Sequence, residues 1–109
     1  RFTDILRGLI AQPIMWLYDY QLGFTKATVT QKRNPHDYMK DFVSEIPMYE
    51  HAEKVIDVVL SVVSKDKSIE DNLYMSYQQL VEELIVSEKE LITLTAWLSD
   101  LKNIKLAVI

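Results

Sequence analysis

After Pro47 the chain runs for 62 residues without a single glycine or proline, and before it only Gly8 and Gly23 occur. Sheet proteins turn their strands through residues with positive φ, and those turns recruit Gly or Asn. A stretch this long with neither breaker suits helical hairpins instead. The pattern predicts an all-α fold: a bundle of four or five helices with a long heptad-patterned C-terminal helix or helix pair.

Periodicity places the helices. Ile5, Leu6, Leu9, Ile10, Trp16, Leu17 and Tyr20 recur at helical spacing, which predicts a helix over 4–22 capped by Thr3, kinked or split at Pro13 and stopped by Gly23. Residues 24–33 read as a connector. Asn34-Pro35 then looks like a helix start, with Asn as N-cap and Pro at the first helical position, and the short helix ends near Glu45. Pro47 opens a third helix whose inward stripe is Met48, Ala52, Val55, Val59 and Val62. Ser68 to Asp71 resembles a capping box.

From Leu73 onward Tyr77, Leu80, Leu84, Ser87, Leu91, Leu94, Leu98 and Leu101 alternate in steps of four and three. That is an a/d seam, interrupted only by Ser87. Ser87-Glu88-Lys89-Glu90 could start a new helix, but the heptad phase survives across it. This favours one helix over 68–102, roughly 50 Å long at ~1.5 Å per residue. Such a helix outruns its neighbours, so its last heptads call for a second copy as cover, and the chain is expected to be a homodimer. The apolar tail after Asn103 is expected to be packed.

One domain over 1–109 is the usual size for a single core, and a first residue of Arg rather than Met fits a domain excised from a longer chain. There are no cysteines, which excludes disulfide frameworks, thiolate zinc and thiol catalysis. With no signal peptide and no membrane span, it also fits a soluble, cytoplasmic protein. The net charge of −4 divides unevenly, +3 over residues 1–36 and −7 over 37–109.

Chemistry-bearing patterns are few. Two isolated glycines cannot build a phosphate loop or a G-x-S-x-G elbow. His36 and His51 are preceded at i−3 by Arg33 and Met48, so no Glu-x-x-His di-iron unit exists. On a helix starting at Pro35, Asp37 and Asp41 share a face beside His36, a set that could hold a cation or supply a general base. The plainer reading, first-turn acids complementing the helix dipole, is preferred. Glu50, Glu53 and Asp57 share another face and supply the alternative of a metal-dependent helical-bundle enzyme. Lys26, Lys32 and Arg33 in the connector supply a third, nucleic-acid binding, against which the acidic remainder of the chain argues.

Core packing is the expectation for Trp16. Tyr18, with Met15 and Leu22 on its side, suits a contact surface, as does the exposed end of the seam at Leu91, Leu94, Leu98 and Leu101. The residues therefore lead to a non-enzymatic interaction or regulatory domain, self-associating and meeting a protein partner. No catalytic, cofactor-binding or metal-ligating residue is assigned.

Overall fold

In the computed structural model, which describes residues 2–108, the chain forms four α-helices and, among those residues, no strand. They are α1 (Phe2–Leu17), α2 (Tyr38–Val62), α3 (Ile69–Glu82) and α4 (Glu88–Val108). α1 packs on α2 and α3, and α3 also carries α2 and α4. α3 is thus the central helix, and α1 and α4 touch it without touching each other.

The core is small and sits where the first three helices meet. Ile10, Val55, Val59 and Leu80 are fully enclosed, with Leu6, Ile14, Tyr77 and Val86 around them. Val55 and Val59 are the inward positions the α2 stripe predicts; Met48, Ala52 and Val62 are half-buried at its edge. Ser68 caps α3 as expected, its Oγ accepting from the Asp71 amide at 3.0 Å.

Several helix boundaries differ from the sequence reading. Thr3 lies inside α1 rather than capping it, and α1 runs unbroken through Pro13, which is buried beside Ile14. Asn34-Pro35 does not start a helix; Asp37 is the N-cap, accepting from the Met39 and Lys40 amides at 3.1 and 3.2 Å. Pro47 does not divide α2 from a further helix. Its ring frees the carbonyl of Val43, an exposed residue whose carbonyl water can satisfy, so the helix continues.

The largest difference lies in the heptad stretch. The heptad helix is broken, with α3 ending at Glu82 and α4 starting at Glu88. Leu84 adopts φ 59°, its amide donates to Val81 O (3.0 Å), and the Ile85 amide donates to Leu80 O (3.0 Å). This is a Schellman motif, and α1 ends the same way: Asp19 has φ 60°, Asp19 N donates to Trp16 O and Tyr20 N to Met15 O. Gly23 is therefore not the stop. The break turns Leu84 out to 90% exposure and leaves Ser87 on the surface, while Val86 folds inward. The uncovered long helix on which the homodimer expectation rested does not exist. Trp16 is exposed at 59% rather than packed. Ile104 is exposed, and the apolar tail beyond it lies outside the residues whose side chains are described.

A leucine at positive φ is strained by ~1 kcal/mol or more. Leu84→Gly is accordingly expected to stabilise the protein by on the order of 0.5 kcal/mol. On an unbroken helix the same change would cost about 1 kcal/mol. Chemical denaturation reads the sign directly.

Polar contacts tie the helix ends together. Asn72, fully buried in α3, accepts from the Ser64 amide at 2.8 Å and donates to the Ser64 carbonyl at 2.8 Å and to the Tyr18 hydroxyl at 3.1 Å. Tyr18 donates in turn to the Lys67 carbonyl. One amide thus replaces backbone partners for the α2–α3 turn and anchors the end of α1. Lys54 pairs with Glu83 at 2.7 Å across α2 and the end of α3, and that hydrogen bond holds the Glu83 carboxyl below its ordinary range.

Burial raises the Tyr77 hydroxyl above its usual 10.0, and the charge of Glu90 adds to this, while Arg7 opposes it by charge and hydrogen bond. The folded state therefore favours the protonated phenol more than the unfolded chain does. This contribution is complete below about pH 10 and is lost as pH rises through the folded value. Across that range the thermal midpoint of the native protein should fall more steeply than that of Tyr77→Phe.

Candidate active site at the start of α2

The connector between α1 and α2 lies outside the bundle, and every residue from Asp19 to Lys40 is exposed. At its end Arg33, Asn34, Pro35 and His36 fold back over the first turns of α2. The cleft they enclose is completed by Tyr38, Asp41, Phe42 and Glu45 and has a volume of about 650 Å³.

The geometry follows from the cap. Because Asp37, not Asn34, starts the helix, His36 stays outside it and its ring can lie against the next turn. His36 Nδ1 stands 3.1 Å from Asp41 Oδ2, five residues away. Asp37 is occupied with the cap, so the two acids that sequence spacing treats as equivalent divide their work. Asp41 itself is fixed by its helical amide bond to Asp37 O and by Ser44, whose Oγ donates to its carbonyl at 2.7 Å.

An imidazole held at Nδ1 by a carboxylate keeps its proton on that nitrogen and has its basic lone pair on Nε2. Around this pair Arg33 offers a planar cation, Glu45 a second carboxylate, and Tyr38 and Phe42 apolar ring faces at 85% and 53% exposure. Phe42 is steadied by Tyr49, with ring centroids 6.4 Å apart.

This arrangement gains its meaning from one comparison. Residues 1–108 match the family model described as STELLO glycosyltransferases. The chain belongs to the STELLO glycosyltransferase family. No curated protein and no solved structure matches it. Membership in a STELLO glycosyltransferase family overturns the non-enzymatic interaction reading, and with it the acidic-cluster and nucleic-acid alternatives. An absence of known loop motifs carried that reading, and the set of His36, Asp37 and Asp41 that the sequence does offer was read there as first-turn acids complementing the helix dipole.

The residues named from sequence fall elsewhere in this STELLO domain. Tyr18 is half-buried, and its hydroxyl donates to the Lys67 carbonyl and accepts from Asn72. Met15 is half-buried near it, and Leu22 is exposed in the connector. Leu91 and Leu94 pack against the core, while Leu98 and Leu101 are half-buried farther along α4, which does not meet α1. The two sets share no face. Glu50, Glu53 and Asp57 are exposed, and among the described residues no group of three or more His, Asp or Glu is placed to hold a metal ion. Lys26 and Lys32 are exposed, and only Arg33 of the connector's basic residues reaches the cleft. No helix of the described residues is long and apolar enough to cross a membrane.

Proposed function

We propose that the cleft at the start of α2 takes part in glycosyl transfer, with His36 as the base that accepts the acceptor hydroxyl's proton. The observation that carries this is the 3.1 Å His36–Asp41 pair in a cleft that Arg33 also lines. The acceptor O–H gives its proton to His36 Nε2. Its oxygen forms a bond to the anomeric carbon of the donor sugar, and the bond from that carbon to an anionic leaving group breaks with its electron pair. Arg33 meets the departing charge, best if the group is a phosphate, to which a guanidinium can bind through two parallel hydrogen bonds. Tyr38 and Phe42 offer flat apolar faces to the C–H side of a sugar or base, and Glu45 accepts from hydroxyls.

The test is transfer from a panel of nucleoside-diphosphate sugars by the full-length enzyme carrying His36→Gln or Arg33→Gln. His36→Gln should lower kcat, and Arg33→Gln should weaken donor binding. Unchanged rates in both variants would remove the cleft from the reaction.

A further inference from the structure

The break at Leu84 has a second result, distant in the chain from His36. α1 and α4 both lie on α3 without touching, and the space between them is a groove of about 520 Å³. That falls within the ~300–1,000 Å³ typical of small-molecule sites. Tyr77 and Leu94 line it on its apolar side, Trp97 contributes an indole that is 52% exposed, and the polar groups facing the groove are Arg7 from α1 and Glu90 and Thr93 from α4. Arg7 and Glu90 both lie close enough to the Tyr77 hydroxyl for their charges to act on it.

We propose that this groove is a carbohydrate subsite that binds a neutral saccharide with its C–H face on Trp97 and its hydroxyls on Arg7 and Glu90. Three properties select that ligand. An indole with about half its surface in water is costly to hydrate, and a flat aliphatic ring face covers it while leaving the polar edge of the sugar free. Arg7 and Glu90 together carry no net charge, so the groove gives an anion little attraction, whereas a planar donor fork beside a carboxylate matches vicinal hydroxyls that both donate and accept. Thr93 adds a hydroxyl on the same wall, on a helix that its own Oγ bond to Lys89 O holds rigid. The groove is separate from the His36 cleft and does not depend on the role given to it.

Saturation-transfer NMR and calorimetry with the intact protein test this, using neutral di- to tetrasaccharides of glucose, galactose, mannose and xylose as probes beside uronic and phosphorylated sugars. At least one series should bind saturably. Trp97→Ala should raise its Kd tenfold or more, and Glu90→Gln severalfold, with unchanged circular dichroism. His36→Gln should leave it unaltered, which separates this site from the cleft. Four results would each overturn the subsite: no saturable binding, a Kd indifferent to Trp97→Ala and Glu90→Gln, binding only of uronic or phosphorylated sugars, or a sedimentation mass that Trp97→Ala lowers, which would mean a second copy occupies the groove.

Discussion

Full-length enzyme carrying His36→Gln is expected to transfer sugar roughly 10²–10⁴-fold more slowly at saturating substrate, the usual contribution of a positioned general base. Glutamine keeps a polar side chain of similar reach but cannot take a proton. The loss should fall on kcat rather than KM, because the proton moves only in the transition state. Asp41→Asn should also slow the reaction. An amide at 3.1 Å from Nδ1 no longer fixes the tautomer, although the cleft keeps its shape. His36 and Asp41 are both partly solvent-exposed, so neither change should shift the thermal midpoint by more than a few degrees. A native midpoint with full kcat in His36→Gln would sink the general-base role. The two losses should also be non-additive, since one residue acts through the other.

The largest effect on stability is expected at Asn72. Asn72→Ala removes three side-chain hydrogen bonds at once; it leaves the Ser64 amide, at the mouth of the α2–α3 turn, without its partner and the Ser64 carbonyl with only the Lys67 amide at 3.3 Å. Unsatisfied groups of this kind cost about 1–3 kcal/mol each. A total near 3 kcal/mol corresponds to a fall in Tm of roughly 10–20 °C for a domain of this size. Tyr18→Phe removes only the link to α1 and should cost ~1 kcal/mol. Denaturant melts of the two variants should therefore differ clearly. Asn72→Ala within half a kcal/mol of the native protein would show that water replaces the amide and that the network is not what holds the turn.

Apart from Ser76, the other large fully enclosed side chains are apolar: Ile10, Leu80, Val55 and Val59. Asn72 was not visible as special in the chain, because it stands at a helical position between Asp71 and Leu73 with no motif around it. Its role comes from a turn it does not belong to. The same holds for Arg7 and Glu90, 83 positions apart in sequence, which share the groove because both helices rest on α3.

What the sequence by itself determined is the class of structure and much of its inner surface. The absence of Gly and Pro after Pro47 excluded a turn-rich sheet, the Ser68 hydroxyl capped α3, and the spacing of Val55 and Val59 placed them inside. These are local energies, set within one or two helical turns, and local energies are written in local composition. Tertiary structure decided where the helices stop. Asp19 and Leu84 take a left-handed conformation that costs ~1 kcal/mol or more locally, with no glycine to announce it. The cost at Leu84 is offset only when the chain reverses and encloses Val86 and Ile85 against the core. The heptad pattern across the break was a true record of apolar spacing but could not distinguish one helix from two folded together. Both proposed sites lie where such decisions were made. The cap at Asp37 left His36 outside the helix, where its ring meets Asp41, and the reversal at Leu84 set α4 beside α1 across a groove.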